Sequence, residues 1–165
     1  IQAGLTGHLV LPTLHTNNAV ETIGRMLDMG ADDYLIAGVA VAILGQRPVR
    51  LNCSKCREPY KPTQDEIQML KLTPEEVETG GFAKGRGCPE CRGTGYKGRI
   101  GVFELILGTP DFKAAIAKGG DYASLNAAAR AQGYTPMLED GKQKVMQGWT
   151  TPDEVLKAVY TQALE

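Results

Sequence analysis

Two C-x-x-C pairs, Cys53–Cys56 and Cys88–Cys91, stand 31 residues apart (residues 57–87) and hold all four cysteines of the chain. Four thiols from two such knuckles match tetrahedral zinc, and they leave no open position for a water nucleophile, so the metal is expected to be structural. Two disulfides would be the reading for a secreted protein. No leader supports that reading: Ile1 opens no basic segment, and no A-x-A pattern follows an apolar stretch. A thioredoxin-type redox pair would leave the second pair unexplained, and unligated cysteines would leave both spacings unexplained. The second knuckle reads "CPECRGTGYKG", and its Gly93, Gly95 and Gly98 permit tight turns that aim backbone N–H groups at sulfur.

From Cys53 to Gly98 apolar residues thin out, so metal binding worth on the order of 10 kcal/mol is expected to hold this stretch together. Within it, Thr63-x-x-Glu66 is a capping box, and Thr73-Pro74 followed by Glu75 and Glu76 is a second helix start. Both predict a short helical insertion between the knuckles. Lys55, Arg57, Arg86, Arg92, Lys97 and Arg99 cluster around the cysteines, diluted by Glu58 and Glu90. Offsetting the charge of a zinc tetrathiolate explains them better than nucleic-acid binding does. The whole chain, 165 residues with a net charge of −1, has no global field to recruit nucleic acid or anionic membrane.

Before the cysteines, Leu9 to Leu14 is apolar apart from Pro12 and Thr13 and reads as a buried strand. An N-cap at Asn17 or Asn18 follows, then Val20, Ile23, Met26 and Leu27 at helical spacing, with Gly30 as the stop. Asp32 or Asp33 caps an apolar helix expected to end near Gln46. "YLIAGVAVAILG" within it is too short to cross a bilayer, which takes about 18 residues or more. "RPVRLN" is extended and runs into Cys53, and "RIGVFELIL" (Arg99 to Leu107) reads as a strand. Thr109-Pro110, Thr135-Pro136 and Thr151-Pro152 repeat one helix-start device, threonine at the cap and proline in the first turn. Asp121 or Ser124 starts a further helix that Gly133 ends. The last helix carries Val155, Leu156, Val159, Tyr160, Ala163 and Leu164 on one face, and these helices are expected to form a small bundle.

Both histidines flank the first strand. His8 opens it and His15 lies past its end, among Thr13, Thr16, Asn17 and Asn18. Ligand sites of open α/β sheets gather at such strand ends, and a cluster of neutral hydrogen-bonding groups there can sense a phosphate. His8 also fits a satisfied core residue. A metal site from both histidines with Asp28 or Asp32 lacks a defined third ligand.

"LTGHLVLPTLHTNNAVETIGRMLDMG" resembles the histidine box of the type II secretion and type IV pilus assembly ATPases. "LGQRPVRLNCSKCREPY" is similar to the arginine strand and first knuckle of that family, and "GCPECRGTGYKGRIGVFELI" to its second knuckle and returning strand. Pilus retraction ATPases lack the tetracysteine element and fit less well. The resemblance implies an α/β fold: the C-terminal portion of a RecA-like P-loop NTPase core, a small zinc-binding subdomain and a C-terminal helical bundle. The segments expected are 1–52, 53–98 and 99–165. It implies zinc on Cys53, Cys56, Cys88 and Cys91, and His15 near the γ-phosphate as a sensor, with His8 supporting it from within the fold. Arg47 and Arg50 would face nucleotide or an adjacent subunit. It further implies a cytoplasmic hexamer at the inner membrane, acting through a platform protein, with no nucleic-acid partner and no transmembrane segment.

Pro12 and Pro48 depart from the family pattern, and no G-x-x-x-x-G-K-[ST] phosphate loop occurs in the chain. Nor do the strand with the magnesium-binding acid and the upstream arginines. ATP and magnesium are therefore expected only in a full-length protein. The chain is read as a fragment, or a truncated product, inactive alone, with a sheet face partly orphaned and prone to oligomerisation or strand exchange. The rival is a non-enzymatic zinc-ribbon module that binds protein or nucleic acid. One knuckle also resembles the C-x-x-C-x-G-x-G units of Hsp40-type chaperones, which carry several.

Overall fold

The structure is a computed structural model and describes residues 1–160. Contacts divide the chain into two compact units, one of residues 1–45 with 104–136, the other of 46–103 with the residues from 137 onward.

The first unit opens with a short helix, α1 (Gln2–Leu5), and then α2 (Glu21–Asp28) and α3 (Asp33–Val39). Asn18 caps the turn into α2 as expected: its Oδ1 accepts from the Glu21 N–H at 2.9 Å, and its Nδ2 donates back to Glu21 Oε1 at 2.9 Å. Gly30, at φ +86°, ends the helix. Asp32 caps α3 by accepting from the Tyr34 N–H.

Two expectations fail here. Residues 8–16 form no strand, and Leu9, Val10 and Leu11 are exposed. A strand buries its side chains only against partners, and among the described residues no strand pairs with this stretch. The apolar helix ends at Val39, not near Gln46, and the chain goes directly into β1 (Ala42–Asn52). Short continuous apolar runs do not distinguish helix from strand; here the backbone leaves the helix at Ala40 (ψ 111°) and pairs with a second strand.

β1 pairs with β4 (Tyr96–Leu107) in a two-stranded sheet, and β2 (Arg57–Pro59) pairs with β3 (Ala83–Gly85). Between β2 and β3 lie α4 (Gln64–Met69) and α5 (Pro74–Thr79), each opened by the predicted capping box, at Thr63/Glu66 and Thr73/Glu76. After β4 come α6 (Pro110–Ala117), α7 (Tyr122–Ala131), α8 (Met137–Met146) and α9 (Pro152–Tyr160). Thr109 and Asp121 cap α6 and α7. These four helices do not share one bundle. α6 and α7 pack in the first unit, around Phe112, Ile116, Leu125 and Ala129 with Ile23 and Ile36. α8 and α9 belong to the second unit. Ala163 and Leu164 lie outside the described residues.

The second unit packs the helical insertion against α8 and α9. Leu70, Leu72 and Phe82 meet Leu138, Val145 and Val155, so the apolar-poor cysteine stretch borrows its core from the C-terminal helices. A smaller cluster joins Val49 and Val102 of the two long strands to Met137. One ion pair locks the insertion: Lys142 Nζ of α8 lies 2.7 Å from Glu76 Oε2 and donates to the Lys71 carbonyl at 3.2 Å. Lys142, with the Thr73 N–H, holds the Glu76 carboxyl below its ordinary value of 4.5. Such a carboxylate favours the folded state above its unfolded pKa, and the contribution fades as pH falls through the lowered folded value. Lys142→Met is expected to cost about 1–3 kcal/mol at neutral pH. It should also flatten the stability loss on acidification below 4.5. Urea melts across that range check both.

Candidate metal centre

The predicted ligands meet. The sulfurs of Cys53, Cys56, Cys88 and Cys91 all lie within 4.8 Å of one another, and the four side chains are free thiols. Cys53 and Cys88 are 3.9 Å apart, Cys56 and Cys91 3.8 Å, and Cys88 and Cys91 3.7 Å. Four sulfurs each ~2.3 Å from a tetrahedral zinc would be ~3.8 Å from one another. The cluster therefore has the size of a zinc tetrathiolate.

Backbone geometry prepares the sulfurs to carry charge. The N–H groups of Cys88 and Gly95 point at Cys91 Sγ, at 3.1 and 3.3 Å. Burial opposes ionisation of Cys91, but these two donors, with the thiols of Cys88 and Cys56, bring it down to about 6. Burial pushes Cys56 up to about 12 against the Gly87 N–H, and its three sulfur neighbours push it the same way. One thiolate forms readily and the next is resisted, which is the electrostatics of a site that needs a cation. The donor set is soft, four-fold and closed, and it fits zinc.

The knuckles are held by close backbone approach. The Cys53 N–H donates to the Gly95 carbonyl at 2.9 Å, and Arg86 N–H to the Cys56 carbonyl at 3.1 Å. β2 and β3 pair antiparallel, Arg57 opposite Gly85 and Pro59 opposite Ala83, which returns the chain to the cluster after the helical insertion. A Cβ at Gly85 would sit 2.0 Å from the Gly95 carbonyl oxygen, and one at Gly95, at φ +78°, 2.3 Å from that of Gly85. Sequence reasoning identified Gly95 as a turn residue but missed Gly85, because close approach between distant segments leaves no local signal.

Two further residues it missed tie the cluster to its surroundings. Asn52, beside Cys53, donates from Nδ2 to the Ala83 and Gly148 carbonyls at 2.8 and 3.1 Å. Glu154 of α9 receives Arg50: Nη2 reaches Oε1 at 2.6 Å, and the Arg50 N–H donates to Oε2 at 3.0 Å. The Arg50 hydrogen bond outweighs burial and keeps Glu154 below the usual carboxylate range. The Arg50 guanidinium also stacks 4.2 Å from the Tyr96 ring centre, just after the second knuckle.

Arg47 is half-buried on the other face of β1. His8 and His15 are both exposed and join no metal-ligating group among the described residues. His8 lies on the surface rather than within the fold, its Nδ1 3.0 Å from Thr6 Oγ1, because the strand it was expected to open is not formed. Of the basic residues around the knuckles, Lys97 pairs with Glu90 at 2.6 Å, and this exposed pair draws the Glu90 carboxyl down and the Lys97 amine up.

An α/β chain built around a four-cysteine cluster narrows the class, and comparison with known proteins identifies it. The family model for type II/IV secretion system proteins matches residues 1–157, and the chain belongs to that family. It is 39% identical over 155 residues to the type IV pilus assembly ATPase PilB of Thermus thermophilus, covering 94% of this chain and 17% of that protein. It is 39% identical over 157 residues to the type II secretion system protein E of Pseudomonas aeruginosa, covering 95% of this chain and 31% of that protein. With the type II secretion system ATPase E of Vibrio cholerae the identity is 37% over 158 residues, with coverage of 95% and 31%. The chain thus spans less than a third of the length of these relatives.

Purified chain is expected to carry one zinc, measured by elemental analysis beside a thiol titration. Gly85→Ala and Gly95→Ala should each cost about 2–3 kcal/mol or more and lower zinc retention, because backbone must move. Gly98→Ala, at φ +85° with open space around it, should cost only about 1–2 kcal/mol and keep its zinc.

Proposed function

We propose that this chain is the C-terminal part of a secretion motor ATPase that couples ATP hydrolysis to pilus or pseudopilus assembly and type II protein secretion. The observation that carries this reading is the four-sulfur cluster in a chain of this family, because by the family resemblance pilus retraction ATPases lack it. The names of the relatives, a pilus assembly ATPase and a type II secretion ATPase, point the same way.

In this reading residues 1–52 supply the end of a RecA-like core, 53–98 a zinc subdomain and 99–165 the returning strand and helical region. Zinc sits on Cys53, Cys56, Cys88 and Cys91 and welds the two knuckles together. His15 senses the γ-phosphate, and His8 is the second histidine of the same box. Arg50 acts within the chain, since Glu154 and Tyr96 already hold it. Arg47, half-buried on the opposite face of β1, faces nucleotide or an adjacent subunit by the family resemblance. The exposure of Leu9 (77%) and Leu11 (85%) supports a segment that is strand only where neighbouring strands flank it.

The phosphate-binding loop, the magnesium-binding acid and hence ATP and Mg²⁺ belong to the whole protein, a hexamer on the cytoplasmic side of the inner membrane that engages a platform protein. No described helix is long and apolar enough to cross a membrane. Nucleic acid has no part in this function.

The purified chain is expected to hydrolyse no ATP above blank. Carried in a protein with its own phosphate-binding loop, the same residues should support turnover that His15→Ala reduces at least about tenfold. Turnover by the chain alone that His15→Ala abolishes would overturn the half-site reading. Tight nucleic-acid binding without turnover in either context would favour the zinc-ribbon module.

A further inference from the structure

β4 turns Val102, Glu104 and Ile106 to one buried face, so an apolar residue is expected at position 104. A carboxylate stands there instead, 4% exposed, beside the main cluster of the first unit. Burying a charge is expensive unless hydrogen bonds replace the lost water. Within the first unit, the Ala19 N–H donates to Glu104 Oε1 at 2.5 Å, and Tyr134 Oη–H donates to Oε2 at 2.8 Å. Burial and the adjacent carboxylate both push the Tyr134 phenol well above its ordinary value, so it remains a donor.

β1 makes room for this carboxylate. A Cβ at Gly45 would lie 2.6 Å from both Cγ and Oε1 of Glu104. Gly45, Glu104, Tyr134 and Ala19 come from four distant parts of the chain, and all belong to the first unit. Ala19 is four residues after His15. Just before it, Asn18 grips Glu21, and Thr16 Oγ1 lies 3.1 Å from Thr22 Oγ1. The polar loop that carries His15 is thus pinned at its C-terminal end, while Leu9 to Leu11 before it are exposed.

We infer that Glu104 is a positioning residue for the histidine segment: it fixes the backbone at Ala19, and with it the place of His15, while Tyr134 and Gly45 fix Glu104. The functional weight of this inference rests on the proposed role of His15 as phosphate sensor. The geometry does not. Mutations at Gly45 or Tyr134 then act on His15 through Glu104.

The test uses the zinc-loaded 165-residue chain. Amide exchange and the His15 imidazole resonances are followed by NMR in Glu104→Leu, Glu104→Gln, Gly45→Ala and Tyr134→Phe. Glu104→Leu should speed exchange at Ala19 about ten- to a hundredfold relative to the amides of α6 and α7, and shift the His15 resonances. Glu104→Gln keeps an acceptor and should restore most of both. Gly45→Ala should act like Glu104→Leu with the carboxylate still present, and Tyr134→Phe should give a smaller change in the same direction. A uniform rise in exchange across α2, α6 and α7, with His15 unmoved, would make Glu104 an ordinary core residue and overturn the inference. If Glu104→Leu does not fold, Tyr134→Phe and Glu104→Gln decide by the same two readings. A loosened Ala19 together with a His15→Ala variant that leaves turnover intact in the loop-bearing protein would keep the positioning role and remove the phosphate-sensing one.

Discussion

Four sulfur atoms within 4.8 Å of one another cannot all be charged unless a cation shares the space. The rest of the second unit follows from that constraint. Backbone N–H groups from Cys88 and Gly95 favour charge on Cys91, and burial, with the neighbouring sulfurs, opposes it on Cys56. To hold the sulfurs there, two backbone segments must touch at Gly85 and Gly95, where no side chain fits. The β2–β3 ladder returns the chain to the cluster, and α4 and α5 occupy the loop between the knuckles. The insertion in turn buries Leu70 and Phe82 against α8 and α9. Metal and apolar core are complementary, because neither the knuckles nor their insertion has enough apolar surface to fold alone.

Arg50 shows how a motif residue can be claimed by the fold. It sits in the arginine strand, where the family resemblance directs it toward nucleotide or a neighbouring subunit. In the structure its guanidinium lies on Tyr96 and its charge is paired with Glu154, so it joins the exit of one knuckle, the strand leading to the other, and α9. The first unit uses a buried carboxylate in a comparable way. Glu104 satisfies an N–H at the start of α2 and a phenol beyond α7, replacing with protein donors the water it has lost. In both cases a single charged group connects segments that are far apart in sequence.

Much of the site was legible in the sequence because its signals are local. Each C-x-x-C pair spans one turn, each capping box at Thr63 and Thr73 spans four residues, and the structure has all of them. Gly30 and the caps at Asn18, Asp32, Thr109 and Asp121 are local too. Errors occurred where the outcome depends on neighbours. Leu9 to Leu14 has the composition of a strand, but a strand requires partners, and the described residues supply none. Val39 to Gly45 is apolar enough for either helix or strand, and pairing with β4 decided it. The four C-terminal helices carry similar apolar faces, yet two pack in each unit.

The sequence by itself therefore determined the four-cysteine cluster, the helix starts and the family, since each is written in residue types at fixed short spacings. Only the tertiary structure decided that Gly85 must be glycine, that Arg50 belongs to Glu154, that His8 lies on the surface, and that Glu104 is buried against Ala19 and Tyr134. Those facts depend on which distant segments touch. A carboxylate, a glycine or an arginine looks the same in a sequence whatever the fold places opposite it.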